Sequence, residues 1–139
     1  MAFAGVNYLA VLVAAVASFM FGAVWYGVLG KPWMAALGKT EEDIKNSGRP
    51  MPLLFAITFI AQLVMAYVLA GSIGHLGPGN VTLLNGIISG AFMWVGFVAT
   101  TLVVNHGYQD APWSLSLIDG GHWLGVLAIQ GAVIGLMGV

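Results

Sequence analysis

The sequence predicts an all-α membrane protein: four transmembrane helices in an up-down bundle, with a short interfacial helix in the first, cytoplasmic loop. Three observations carry this. The 139 residues are 60% hydrophobic and 6% charged, against about 25% charged in soluble domains. A globule this small exposes too much surface to hide such an apolar load, so lipid must be the solvent. Second, residues 6–29 and 51–109 contain no Asp, Glu, Lys or Arg at all. Third, every cation (Lys31, Lys39, Lys45 and Arg49) lies in one polar island between them, beside Glu41, Glu42 and Asp43.

The elements follow in order. A crossing needs roughly 20 apolar residues, and residues 6–29 supply the first. Ala15-Val16-Ala17 resembles a signal-cleavage site. No basic residue precedes the run, however, and it stays apolar to Leu29, so a retained helix is expected. In the island, Thr40-Glu41-Glu42-Asp43 has the spacing of a capping box and Gly48 offers a stop, which predicts the short interfacial helix. Pro50 and Pro52 mark the start of a second helix over 52–70. The stretch Gly71 to Asn80 is dense in glycine and contains Pro78, so it reads as a turn. A third helix is expected over 81–104. After a link carrying Asp110 and Pro112, a fourth runs over 114–137. Ser116-Leu117-Ile118-Asp119 repeats the capping spacing at its mouth. Residues 1–139 form one domain, without the internal repeat of an inverted-repeat transporter.

Positive charge stays cytoplasmic. The loop 30–50 is therefore expected inside a bacterial inner membrane, with both termini outside. This threading puts Trp25, Tyr26, Trp33, Tyr108, Trp113 and Trp123 at the cytoplasmic boundary, where amphipathic rings prefer to sit. Tyr8 falls at the outer boundary and Trp94 near mid-membrane.

Membrane helices associate by close fit, and small residues allow it. The first helix offers Ala14, Ser18 and Gly22, the third Gly86 and Gly90, and the fourth Gly121, Gly125, Gly131 and Gly135. The first reading of these stripes is internal packing of one bundle; because one compact bundle needs fewer such faces, the other is that a stripe meets other membrane helices, in a homo-oligomer or a larger membrane complex. The net charge of −1 gives no basic field for nucleic acid.

Ionisable groups inside membrane segments are functional candidates. Asp119 and His122 share a face of the fourth helix. Asn105 and His106 end the third at similar depth, and Tyr26 joins from the first. A cluster of Asp119, His122, Asn105, His106 and Tyr26 could relay protons, hold a metal weakly or anchor a polar ligand. The bland alternatives are an Asp119 that stays near water at a helix start and a His122 that bonds to it. No metal motif appears, the absence of cysteine removes thiolate chemistry, and no cofactor is predicted. Polar residues Asn85, Ser89 and Thr100 follow one stripe of the third helix. With Gln62, Thr101 and Gln130, they serve interhelical hydrogen bonds or line a small path. No catalytic site is evident, so an enzyme is not expected. The first reading is a structural, accessory or self-associating subunit. The alternative is a carrier or channel for a neutral or weakly polar solute using stripes on helices 3 and 4.

Several stretches bear a family resemblance. Val6-Asn7-Tyr8-Leu9-Ala10-Val11-Leu12-Val13-Ala14-Ala15, Gly22-Ala23-Val24-Trp25-Tyr26-Gly27 and Gly30-Lys31-Pro32-Trp33-Met34 resemble the opening of bacterial membrane proteins grouped as domain of unknown function 1761. Gly96-Phe97-Val98-Ala99-Thr100-Thr101 and Leu117-Ile118-Asp119-Gly120-Gly121-His122 are similar to that family's third- and fourth-helix signatures. The resemblance implies a four-helix integral membrane protein and no particular activity.

With no native cysteine to interfere, Lys45→Cys is expected to react with a membrane-impermeant maleimide only from the cytoplasmic side. Asn80→Cys should react only from the outer side. The opposite pattern would invert the threading.

Overall fold

The computed structural model describes Phe3 and residues 5–139. Helix α1 spans Tyr8–Leu37. Asn7 caps it, its side-chain oxygen accepting from the Ala10 N–H at 3.1 Å. The helix runs on past residue 29, through Pro32. A single proline removes one helical hydrogen bond, and the chain tolerates that loss until a true stop arrives. The stop is Gly38, at φ 69° in the left-handed region, where its N–H and that of Lys39 turn back to the carbonyls of Ala35 and Met34.

Helix α2, Glu41–Lys45, carries the anticipated capping box. Thr40 Oγ1 accepts from the Asp43 N–H and Asp43 Oδ2 from the Thr40 N–H, at 3.1 and 2.9 Å. That backbone donor holds the Asp43 carboxyl below the usual carboxylate range. The helix is capped at Asn46, before Gly48.

Helix α3, Met51–Gly74, absorbs Gly71 and Gly74, which the sequence assigned to the turn. Lipid offers no water to free backbone groups, so glycine stays helical more readily there. The turn itself uses Gly77 and Gly79, both at positive φ. Helix α4 spans Leu83–Tyr108, with a π-helical segment at Trp94–Ala99. Helix α5 is Trp113–Met137 with Pro112 as its N-cap. Ser116 thus lies inside α5, and the expected Ser116–Asp119 cap does not form, because Pro112 starts the helix earlier. Four helices, α1, α3, α4 and α5, are long and apolar enough to cross a membrane.

Helix α5 is the hub and packs on the other three. Against α4 the contact is backbone on backbone. A Cβ on Gly86 would strike the Gly131 carbonyl, one on Gly90 the Leu127 carbonyl, and one on Gly135 the Thr82 carbonyl. Against α1 the glycines instead receive rings. Phe21 lies on Gly125, Trp25 on Gly121, and the His122 imidazole on Gly22. Ala14 and Ser18 are fully buried. The small residues that argued for a second subunit are thus occupied within this chain.

Midway along the bundle three polar side chains join α1, α3 and α5. Ser18 Oγ donates to Gln62 Oε1 at 2.7 Å. Gln130 Nε2 donates to Ser18 Oγ at 3.1 Å and to the Gln62 carbonyl at 3.0 Å. The expected α4 stripe does not take part. Thr100 and Thr101 back-bond to Gly96 and Phe97 of their own helix, and Asn85 donates to the Asn80 carbonyl. A π segment disturbs the regular carbonyl ladder, and nearby hydroxyls serve the displaced acceptors.

Gly90→Leu is expected to lower stability by about 3 kcal/mol, since backbone cannot yield as a side chain would. Gly96→Ala, with open space at its Cβ, should shift the melting temperature in detergent far less. Equal shifts would mean that the α4–α5 contact is not tight.

Candidate functional site

The end of the bundle nearest the cationic loop gathers the remaining polar groups. Helix α1 brings Tyr26, the last turn of α4 brings His106, and the second and third turns of α5 bring Ser116, Asp119 and His122. The tight link from α4 to α5 places His106 and Ser116 at one level. Asp110 adopts φ 56° in it, a left-handed conformation that Asp tolerates better than most residues. The Ala111 N–H returns to the His106 carbonyl.

These groups form a chain of contacts. Ser116 Oγ lies 2.7 Å from His106 Nδ1. His106 Nε2 stands 4.0 Å from Asp119 Oδ2. The other Asp119 oxygen, Oδ1, accepts from the Tyr26 hydroxyl at 2.6 Å. In the tautomer with the proton on Nε2, Nδ1 accepts from the serine hydroxyl.

Two indoles hold the α5 backbone in place around this chain. Trp25 Nε1 donates to the Ile118 carbonyl at 2.9 Å, and Trp94 Nε1 donates to the Gly120 carbonyl at 2.8 Å. They come from α1 and from the π segment of α4. Trp94 therefore faces α5.

His122 sits apart from the chain. It is 4% exposed, pressed on Gly22 and surrounded by Phe21, Tyr26 and Trp123, with ring centroids at 6.3, 4.9 and 4.5 Å. Its buried Nδ1 has no partner among the described residues. The carbonyl one turn before it, Ile118, already takes Trp25. Its role here is to pack, and its polarity is left largely unused.

The structure brings together Tyr26, Asp119 and His106, and sets His122 against Tyr26. Asn105 is separated from them. Neighbouring helical residues point about 100° apart, so turning His106 inward turns Asn105 out. It is exposed and borders a shallow surface hollow with Thr100, Thr101 and Val104. Sequence reasoning took Ser116 for a cap and so missed it as a member. The shortness of the α4–α5 link, with Ser116 and Asp119 three apart on one face, was the available signal. His106 and Asp119 approach each other, but no third His, Asp or Glu joins them as a metal set among the described residues.

Beside this chain lies a cleft of about 290 Å³ between α4 and α5. Trp94, Ala99, Leu102, Trp113, Leu117 and Leu124 contribute to its walls, and Ser116 is its one side-chain hydroxyl. Leu117 and Trp113 are both largely exposed, so the cleft opens on the face that meets lipid. A mostly apolar slot whose polar groups are the Ser116 hydroxyl and the indole of Trp113, the Trp94 N–H being taken by the Gly120 carbonyl, suits a molecule that is mostly hydrocarbon with one polar end.

Comparison with known families gives one match. The family described as "Protein of unknown function (DUF1761)" matches over residues 9–135. No curated protein and no solved structure matches the chain.

Proposed function

The chain belongs to the DUF1761 family of unknown function, and from that premise we propose that it binds a neutral, membrane-dissolved molecule with one weakly polar end. The site is the α4–α5 cleft. The observation that carries this reading is Ser116, which lines a mostly apolar wall and is tied to His106 behind it. The cleft volume, about 290 Å³, is near the low end of ligand sites, roughly 300–1,000 Å³. A single alkyl chain with a hydroxyl, carbonyl or ester group fits that chemistry. The mid-bundle Ser18–Gln62–Gln130 knot binds helices to one another, so the neutral solute anticipated for helices 3 and 4 is given a binding cleft here in place of a transmembrane path.

The reading of an accessory or self-associating subunit keeps one supporting observation. Only 6% of the apolar window of α4 is buried within the bundle, and Phe92, Phe97 and Tyr108 project outward from it. That face is the surface left for other membrane helices, now that the glycine stripes are occupied internally.

A dodecanol brominated near its chain end is expected to quench tryptophan fluorescence saturably, because Trp94 and Trp113 line the cleft. Gly120→Leu, which fills the cleft, should raise the half-quenching concentration roughly tenfold, about 1.4 kcal/mol. Linear, partition-like quenching unchanged by Gly120→Leu would sink the cleft reading. Native mass after gentle extraction, with a C-terminal tag, checks the accessory reading: a discrete complex with other proteins supports it, and a lone chain removes it.

A further inference from the structure

Resting on the cleft reading, we propose that Ser116 is a nucleophile that cleaves an acyl ester held in the cleft, with His106 as its general base. Nothing in the residue order points to this, because its three members lie on two helices and their pairing exists only in the fold. Three observations meet at one point. The Ser116 hydroxyl is 2.7 Å from an imidazole nitrogen. The opposite nitrogen of that imidazole faces a carboxylate at 4.0 Å. The residue that carries this hydroxyl lines an apolar cleft wide enough for an alkyl chain.

The order of groups is that of a nucleophile, base and carboxylate, recognised by geometry and roles and not by chain order, with the base-to-carboxylate contact at 4.0 Å longer than a hydrogen bond. The base nitrogen is Nδ1, and either ring nitrogen can accept while the other donates. Such contacts are commonly loose without substrate and tighten on binding. Asp119 is a positioning residue: it touches no substrate, and Tyr26 fixes its orientation through the 2.6 Å hydrogen bond. The first turn of α5 carries no side-chain cap, so its positive dipole end lies about one turn from Ser116 and favours a developing oxyanion.

The step balances. Ser116 Oγ bonds to the ester carbonyl carbon while His106 Nδ1 takes the hydroxyl proton. The bond from that carbon to the alcohol oxygen breaks, and His106 returns the proton to the departing alcohol. Water, deprotonated by His106, then attacks the acyl-serine carbonyl carbon, the bond from that carbon to Ser116 Oγ breaks, and His106 returns the proton to Oγ. The products are a fatty acid and an alcohol, and free Ser116 is restored. The substrate class is a long-chain acyl ester dissolved in the membrane. Polar esters have no hydrocarbon contact to gain in this slot.

The test is a decyl fluorophosphonate applied to the full-length protein in lipid nanodiscs. Oγ–P bond formation expels fluoride, and peptide mass spectrometry locates the adduct. The expected result is an adduct on Ser116 in the native protein, none in Ser116→Ala, and native behaviour in Ser114→Ala. His106→Gln is expected to slow labelling roughly 100-fold, the scale of general-base catalysis. Asp119→Asn should slow labelling while half-quenching by the brominated dodecanol stays at its native concentration, a separation that a merely structural role would not produce. If the native protein binds the alcohol saturably but is not labelled, the nucleophile is overturned and the cleft stands. If it neither binds nor labels, both fall. An adduct that persists in Ser116→Ala would also overturn the assignment.

Discussion

The close approach of α4 to α5 governs much of the rest. At Gly86 and Gly131 each backbone lies where the other's Cβ would be. A contact of that kind fixes register to the residue, because sliding by one position would put a side chain against a carbonyl. Lipid tails are as apolar as leucine, so nothing but fit and polar pairing holds such helices together. Once the glycines set the register, the short link brings His106 beside Ser116. The π segment at Trp94–Ala99 then aims an indole at the Gly120 carbonyl. The cleft and the polar chain are consequences of that one contact.

Polar groups in the bundle fall into two kinds. Ser18, Gln62 and Gln130 are buried, meet one another from three helices, and act as glue. Each interhelical bond of that kind is worth only around 0.6 kcal/mol on average. Leaving such a group unpaired costs about 1–3 kcal/mol, and the network avoids that cost for Ser18 Oγ, Gln62 Oε1 and Gln130 Nε2 but not for the buried Gln130 Oε1. The second kind is Tyr26, Asp119, His106 and Ser116. A carboxylate, an imidazole and a phenol are more than packing requires, and their chain ends on the hydroxyl of a residue that lines a cleft. A group retained for stability alone would be expected to end on a backbone carbonyl, as Thr100 and Thr101 do on their own helix.

The four crossings, their order and the capping box at Thr40 were legible because they depend on local composition and on cap chemistry. The glycine positions were legible as packing sites but not as to what they pack against. Gly22 looked like a helix–helix seam, and in the fold it receives the His122 ring. Helix α1 outran its expected end because proline is a weak stop when only one hydrogen bond is lost, whereas Gly38 reverses the chain. The π segment left no readable mark in the residues of Trp94–Ala99. Ser116 was hidden by a local pattern: with Asp119 it imitates a cap, and only Pro112, four residues earlier, shows that the helix had already begun. Asn105 and His106 looked equivalent in sequence, and one helical step of rotation separates an exposed amide from an imidazole turned toward Ser116 and Asp119.

Depth is the physical reason to associate this site with an ester. Ser116 is three residues into α5, about 4.5 Å along the axis at 1.5 Å per residue. The polar loop and its cations lie beyond that end, and the cleft walls Leu102, Leu117 and Leu124 continue on the apolar side. A long-chain ester placed in a bilayer divides in the same way, with its carbonyl near the boundary and its chain in hydrocarbon. The mid-bundle polar knot, by contrast, lies more than a dozen residues further along α5, where no ester carbonyl rests. A hydrolytic site needs both a hydrocarbon wall and a route for water, and only the end holding Ser116 combines them.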